Sequence, residues 1–456
     1  MRRKNLFFIF LFLFSLVSCN QKRPDSTGDI LTLLLLNAFL NASNGPCVAK
    51  ESLNVTSIGT WDVGLGVPVN YSQVYPFSLH RTQPMVQFFL DQDPSVPHYL
   101  FPVNYTNRFD YGSAFFNRDL LSYVPVGSST SMLPYGKDTF YATDPAVSIL
   151  NTASSSQNLG VDFNFVNSIP TTATIIKSCR ELETDELTFQ TTDATSSSSG
   201  LSHVWQTEKN LDVNIIFVND GSNLSYPIQS EAGLALALNK WRQNYSQNTV
   251  RIKLNFNFST LNSSNFFSIS NLSTAGNSPG SLGGLFSTTA NVGKSNALNL
   301  FVVSEELQYG GVLGVSGGIP GPATILGTRQ SGMVVFIETH RMISNTGDPF
   351  TSDEQLLLGE TMSHEAGHFL GLWHLIESGG DTGAVGDKDP LRDTPACSAL
   401  NDADTSGTMS IGECLGTGST NSGARNMMFW TGTVGFTQGE ITAEQGWILR
   451  LNPLVY

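Results

Sequence analysis

Three of the seven histidines in this chain lie within eleven residues, in the segment His-Glu-Ala-Gly-His-Phe-Leu-Gly-Leu-Trp-His from His364 to His374. Residues four apart on an α-helix share one face and lie about 6 Å apart along the axis. His364 and His368 can therefore bind the same metal ion, and zinc takes histidine nitrogen at roughly 2.0–2.1 Å. The spacing predicts a zinc site on a helix.

The neighbouring residues make the predicted site catalytic rather than structural. Gly371 tolerates positive φ, so it can end the helix and let His374 return as the third ligand. Three protein ligands leave a fourth position for water or a substrate carbonyl. Glu365 would lie beside that position and accept a proton from water, whose pKa zinc lowers to about 7. Histidines that merely decorate an amphipathic helix would not explain this glutamate, glycine and third histidine together.

The helix that carries these residues is predicted to begin near Ser352, with Gln355 as the partner residue of a capping box. Gly359 and Gly367 each lower helix propensity by about 1 kcal/mol relative to alanine, so tertiary packing has to hold the helix. An apolar stripe would provide that packing through Leu357, Leu358, Met362, Ala366, Phe369 and Leu370.

The extended histidine pattern resembles the metzincin metalloproteases. Their second mark is a methionine-containing turn beneath the metal, and Asn426-Met427-Met428-Phe429-Trp430 stands in that place, with Met428 aligned to the turn methionine. Within the metzincins, residues 203–456 are similar to the pappalysin family. The similarity rests on Gly386-Asp387, Asp393-Thr394-Pro395, Cys397, Cys414 and Phe436-Thr437.

The resemblance implies an α+β catalytic domain with a mixed twisted sheet, an active-site helix and an irregular C-terminal subdomain that contains the Met-turn. It implies a zinc endopeptidase that holds one catalytic ion, with residues 331–337 as the edge strand before the helix. Trp430 replaces a tyrosine that stabilises the oxyanion in the family, and its indole N–H makes it a candidate oxyanion donor. Phe429 replaces an acidic residue. These changes leave open an inactive surface binding protein or adhesin, and an amidase acting on cell-wall peptides is a third alternative.

The N-terminus predicts export. Arg2, Arg3 and Lys4 precede an apolar run that ends in Leu16-Val17-Ser18-Cys19, as in a bacterial lipoprotein signal. Residues 1–18 would be removed, Cys19 lipidated, and residues 19–46 would tether the protein to the outer membrane or cell surface. A simple secretory peptide would also mean export. The formal net charge of −14 excludes nucleic acid as an expected partner, and protein or peptide substrates are expected instead.

Four cysteines remain if Cys19 carries lipid, and an even number in an exported protein indicates two disulfides. Pairing Cys47 with Cys179 and Cys397 with Cys414 would keep one bridge in each domain. The alternative for Cys47 or Cys179 is a thiolate that caps the zinc and holds the enzyme latent.

The composition divides the mature chain into a β-rich N-terminal domain (residues 47–192), a serine-rich linker (193–202) and the metzincin-like domain (203–456). The N-terminal domain could present the enzyme, capture substrate or inhibit as a pro-domain. Its strands are predicted at residues 86–90, 161–165, 174–176 and 187–190. In the C-terminal domain we expect strands at 213–218, 250–256 and 298–303, a helix at 230–247, and loops at 259–294 and 310–327.

Acidic residues crowd the segment after the third histidine. They form either a solvated loop or a structural calcium site, since calcium binds hard oxygen ligands on weakly structured loops. Pappalysin-type domains often bind calcium in this region. The residues are Asp381, Asp387, Asp389, Asp393, Asp402 and Asp404.

Overall fold

The computed structural model describes residues 45–62, 68–73, 75–77, 82–90, 98–104, 139–141, 159–165, 172–189, 203–221, 230–346, 348–383, 387–389, 391, 393–415 and 423–456. The predicted signal peptide, the lipidation site Cys19, the linker at 193–202 and nearly all of the tether lie outside these ranges. Pro46–Tyr456 form one compact unit, within which the predicted domain boundaries stay predictions. Of the helices in the described ranges, none has the length and apolarity of a bilayer-spanning segment.

The N-terminal region is rich in antiparallel β-structure, as predicted. Its described strands are β1 (Val48–Asn54), β2 (Ser57–Asp62), β3 (Pro68–Ser72), β4 (Tyr75–Phe77), β5 (Met85–Phe89), β6 (His98–Asn104), β7 (Thr139–Tyr141), β8 (Leu159–Phe165) and β9 (Thr172–Ser178). One sheet has the order β1-β9-β5-β7, and the other has the order β2-β3-β8-β4 with β6 also paired to β8. A disulfide between Cys47 and Cys179 joins the outer ends of β1 and β9.

The strand predicted at residues 187–190 is wrong, because helix α1 (Thr184–Thr188) covers the first two residues of that stretch. The Glu186 carboxylate accepts a hydrogen bond from the backbone N–H of Glu183 at 2.9 Å. A side chain that reaches back to the N-cap in this way stabilises the first turn of a helix. Helix capping by these side chains therefore outweighs the strand preference that the alternating apolar residues indicate.

A mixed sheet forms the centre of the C-terminal region. The elements up to the active-site helix are β10 (Lys209–Asn219), α2 (Ala235–Tyr245), β11 (Ile252–Asn262), β12 (Ser268–Ile269), α3 (Leu282–Ser287), α4 (Thr289–Val292), β13 (Leu298–Val303), β14 (Glu305–Glu306), β15 (Gly314–Ser316) and β16 (Met333–Phe336). The order is β11-β10-β13-β16-β15, parallel except for β15. Every residue of β13 is buried, which explains why all of its residues except Asn299 are apolar.

Two expectations for this region are corrected. The strand within residues 331–337 is β16, which lies between β13 and β15 and is not the edge. The edge is β15, inside the glycine-rich stretch that was predicted to be a loop. Residues 259–294 likewise contain the end of β11, β12 and two short helices. These elements consist largely of small and polar residues, so they show no apolar periodicity from which they could be predicted.

The helix that was predicted to carry the active site is α5 (Ser352–Leu370). Its capping box uses Thr351 and Glu354, one residue earlier than the predicted pair: the Glu354 carboxylate accepts from Thr351 N–H at 2.8 Å and the Thr351 hydroxyl accepts from Glu354 N–H at 3.3 Å. Gly371 ends the helix with φ 119°, as predicted. The chain thus turns sharply where His374 has to return to the helix face.

Glycines on α5 allow close helix packing. A Cβ on Gly359 would lie 2.3 Å from the carbonyl oxygen of Ala237 on α2. On Gly367 it would lie 2.6 Å from the sulfur of Met428. These contacts explain why residues with poor helix propensity stand in the middle of this helix, and they confirm that tertiary packing holds it.

We expect Gly359→Ala to lower the free energy of unfolding by about 2 kcal/mol, although alanine is the better helix former. The added methyl group would collide with backbone atoms of α2, which cannot move aside as a side chain can. Urea denaturation of the variant measures this loss. Gly379→Ala is the control, because its Cβ would meet nothing within 4 Å. Equal stability of the two variants would contradict the close-packing account.

An irregular subdomain follows Gly371 and ends in helix α6 (Ala443–Leu451). The second predicted disulfide, Cys397–Cys414, is present. Both cysteines are buried with Leu375, Ile376, Met409, Ala424 and Phe429 in a small apolar cluster. The bridge therefore closes a segment with little regular secondary structure. With all four cysteines paired, neither Cys47 nor Cys179 is a free thiolate in this structure.

The N-terminal sheet shares its core with the C-terminal region. Met85, Phe89 and Ile176 belong to the same buried cluster as the β10, α5 and α6 side chains. A buried polar network adds to this contact. Arg180 donates to the Glu186 carboxylate at 2.7 and 2.9 Å and to the Arg450 carbonyl oxygen at 2.7 Å. Separating the two regions would expose both the apolar cluster and these charges.

Candidate metal centre

The three predicted ligands converge. Nε2 of His374 lies 3.2 Å from Nε2 of His364 and 3.2 Å from Nε2 of His368. Two nitrogens that bind one tetrahedral zinc ion at 2.0–2.1 Å are about 3.3 Å apart. The imidazoles thus have the spacing that a tetrahedral metal site requires, and they could bind a metal ion.

The second nitrogen of each ring has an acceptor. The distances are 2.7 Å from His364 Nδ1 to Met427 O, 2.7 Å from His368 Nδ1 to Leu372 O, and 3.3 Å from His374 Nδ1 to each carboxylate oxygen of Glu377. Protons on Nδ1 satisfy these acceptors and leave the Nε2 lone pairs for a metal. The sequence analysis missed these orienting groups, two of which are backbone carbonyls.

Burial favours the neutral form of the ligand imidazoles. It lowers the pKa of His364 to about 3, with a smaller effect from the neighbouring His374. Burial is also the main reason why the pKa of His368 lies well below its usual value. Both rings are therefore neutral at physiological pH, which is the form that binds a metal.

Glu365 is buried beside the histidines and only 6 % exposed. Burial raises its pKa to about 8, and a hydrogen bond from the Ser316 backbone opposes that effect. A divalent cation at the imidazoles would favour the carboxylate and lower this pKa. A Cβ on Gly314 would lie 2.7 Å from Cγ of Glu365, so glycine lets β15 approach the carboxylate this closely.

The histidines and Glu365 line a cavity of about 520 Å³ beside β15, the terminal strand of the sheet. No described residue before Gly311 lines it. Its walls come from the β15 segment, one face of α5 and the chain after the histidines. The lining residues other than the four site residues are Gly311, Val312, Leu313, Gly314, Val315, Ser316, Ile319, Met342, Leu357, Glu360, Thr361, Met427, Phe429, Trp430, Thr431, Gly432 and Gln438.

The predicted Met-turn lies against the histidines. The Met427 carbonyl orients His364, and the buried Met428 packs against α5 at Gly367. Trp430 lines the cavity, but its indole N–H donates to the Met409 carbonyl at 2.9 Å. An oxyanion role for Trp430 therefore stays a prediction that requires this hydrogen bond to break.

The acidic residues after His374 do not gather into one site. Asp387 accepts from Thr382, and Asp393 accepts from Thr442 and from the Glu444 backbone. Asp402 and Asp404 lie near Glu413 on the surface. Their carboxylates accept backbone N–H groups of Ser406 and Gly407. These two carboxylates and that of Glu413 lie close enough to hold a metal ion, and the calcium site stays a prediction.

His340 was not singled out from the sequence, yet it holds α5 in place. This buried side chain follows β16 and lies with Nδ1 2.6 Å from the Phe336 carbonyl and Nε2 2.9 Å from the Thr361 hydroxyl on α5. Burial lowers its pKa to about 4, although its hydrogen bond to Phe336 and the Glu354 charge act in the opposite direction. The folded protein therefore favours the neutral form of the His340 imidazole.

A pH-dependent loss of stability follows for His340. Between its folded pKa of about 4 and its ordinary value of 6.5, the unfolded chain binds the proton more readily. The free energy of unfolding should therefore decrease as the pH is lowered through that window, by roughly 2–3 kcal/mol for this residue. Urea denaturation of metal-free protein at pH 7 and pH 4.5 measures it. The gap between wild type and His340→Asn should shrink by that amount, and a constant gap would contradict the prediction.

Comparison with known proteins agrees with this site. Residues 296–448 match the model of peptidase family M43, described as pregnancy-associated plasma protein-A. No curated protein matches the chain. A solved structure titled "Structure of a chaperone-substrate complex" aligns at 13% sequence identity and a TM-score of 0.28, over 54% of this chain and 34% of that chain. That similarity is too weak to support a conclusion about fold or function.

The matched segment runs from just before β13 into α6 and contains all three histidines and Glu365. Its mixed sheet and long helix α5 are consistent with a metallopeptidase domain of this kind. Residues 296–448 are thus similar to the pappalysin family of metallopeptidases, as the sequence resemblance implied.

Proposed function

We propose that this protein is a zinc-dependent endopeptidase with His364, His368 and His374 as the metal ligands and Glu365 as the catalytic residue. The observation that carries the proposal is the convergence of three Nε2 atoms beside a buried carboxylate in an open cavity. A zinc ion bound there would polarise the scissile carbonyl and lower the pKa of the attacking water.

The residues of the chain supply the remaining steps. The Glu365 carboxylate accepts the proton of the attacking water and passes it to the departing amine. The backbone N–H of Ser316 holds this carboxylate against β15. β15 is the terminal strand of the sheet among the described residues and borders the cavity, so an extended peptide can pair with it as an added strand. That arrangement favours peptide substrates over compact ligands.

The test uses the purified chain from residue 20 onward, which lacks the predicted lipidation site. We expect about one zinc ion per chain, cleavage of unfolded protein substrates, loss of cleavage on chelation, and recovery with zinc. Serine-protease inhibitors should have no effect. Zinc binding without cleavage of proteins would favour the surface binding protein, and cleavage of peptidoglycan alone would favour the amidase.

We also propose that the protein is exported and anchored by lipid at Cys19. Two disulfides indicate an extracellular or periplasmic compartment. Mass spectrometry of the N-terminal peptide tests the anchor. A diacylglycerol on Cys19 supports it, and an unmodified cysteine at the mature N-terminus rejects it.

A further inference from the structure

Residues 317–332 connect β15 to β16, and we name this segment the cleft loop. Two strands of the N-terminal sheet donate hydrogen bonds to its backbone. Nε2 of the buried Gln87 on β5 lies 3.3 Å from the Pro320 carbonyl oxygen. Nζ of Lys50 on β1 lies 3.0 Å from the Thr324 carbonyl oxygen. The N-terminal sheet therefore binds the cleft loop at two points.

The cleft loop in turn contacts the cavity and the active-site helix. Ile319 lines the cavity. The N–H of Gly321 donates to the carbonyl of Phe369, the residue after the ligand His368, at 2.9 Å. A Cβ on Gly321 would lie 2.2 Å from the Phe369 ring, so the loop is pressed directly onto α5.

The conformation of the loop needs external support. Thr324 has φ 63°, in the left-handed region that a β-branched residue rarely adopts. Such a conformation is strained and persists where surrounding contacts hold it. The Lys50 hydrogen bond is made to the carbonyl of this same residue.

The N-terminal sheet supports the cavity without filling it. None of the described residues of that sheet lines the cavity, whose walls begin at Gly311. The sheet is instead fixed to the C-terminal region through the shared apolar core and the Arg180–Glu186–Arg450 network. A removable inhibitory segment, in contrast, would be expected to cover the cavity, and the rest of the chain would stay folded after its release.

We propose that the N-terminal sheet β1-β9-β5-β7 is a permanent positioning element of the substrate cleft, in which Gln87 and Lys50 hold the cleft loop against α5. Only the expected change in KM rests on the proposed peptidase function. It assigns the region a role different from that of a removable pro-domain.

Substitutions of the two donors test the positioning role. Gln87→Leu with Lys50→Met should raise KM for a peptide substrate by about three- to tenfold and leave zinc affinity unchanged. The amides of residues 317–332 should exchange hydrogen roughly fivefold faster. Thermal stability should change little, because the substitution also removes the buried Gln87 Oε1, which has no hydrogen-bond partner among the described residues. Lys177→Met, which breaks an ion pair with Glu51 on the same sheet, is the control.

Unchanged exchange and unchanged KM in the double variant would overturn the proposal. Exchange that accelerates in a protein without any peptidase activity would support the positioning role and reject the proposed function, so the two failures can be distinguished. A second experiment introduces a protease site within residues 193–200. The cut halves should stay together with activity within about twofold of the intact chain, whereas release of an active 203–456 fragment would establish a pro-domain.

Discussion

Glu365→Gln is expected to reduce kcat/KM for peptide cleavage by roughly 10³–10⁴-fold, near the upper end of general acid–base effects. The amide has the same shape but can neither accept the proton of water nor pass it to the amine. The histidines and their Nδ1 acceptors are untouched, so zinc content and zinc affinity should stay the same. Steady-state kinetics and metal analysis of the same preparation measure both quantities.

Asp353→Asn is the matched control for this variant. It removes an exposed carboxylate from the first turn of the same helix, far from the histidines. Activity should then be retained. If Glu365→Gln cleaved peptides at a rate near that of the wild type, another residue would have to be the base. If it lost zinc, Glu365 would be part of the metal site.

Gly314→Ala is expected to lower kcat by about 10²-fold without removing zinc. Its methyl group would lie 2.7 Å from Cγ of Glu365 and 2.9 Å from the Val334 carbonyl oxygen. The Val334 backbone belongs to a central strand and cannot yield, so the Glu365 side chain has to move. Displacement of a catalytic group by about 1 Å can cost this much. Single-turnover kinetics with zinc-loaded protein measures the effect.

Gly412→Ala serves as the control, because the nearest atom to its Cβ would be a serine hydroxyl at 3.8 Å. It should leave kcat unchanged. Full activity of Gly314→Ala would show that Glu365 does not need its observed position against β15. Loss of zinc from Gly314→Ala would mean that the strand supports the ligands rather than the base.

The sequence was most informative where a residue pattern and the structural feature that it determines lie in the same short segment. The histidines and Gly371 lie close together in the sequence, so local helix geometry predicted both the convergence of the three imidazoles and the end of α5. The strand at residues 298–303 was predicted with its observed bounds, because a strand buried on both faces is mostly apolar, and Asn299 is the one polar residue in it. The pairing of the four cysteines followed from keeping each disulfide within one predicted domain.

Other features depend on contacts between distant segments. The edge strand β15 contains Gly314 and Ser316, which show no apolar alternation, and it is a strand because it pairs with β16. The acceptor for His364 is a backbone carbonyl 63 residues away. Backbone carbonyls carry no residue-specific signal, so a single sequence cannot reveal them. The contact of Gln87 with the cleft loop spans 233 residues and was equally hidden.

The most direct measurement is anomalous X-ray scattering at the zinc edge from crystals of the mature chain grown with zinc. We predict one strong peak at roughly 2.0–2.1 Å from Nε2 of His364, His368 and His374, with the Glu365 carboxylate facing the remaining position. No peak between the three rings, or a zinc ion bound there without His374, would contradict the account.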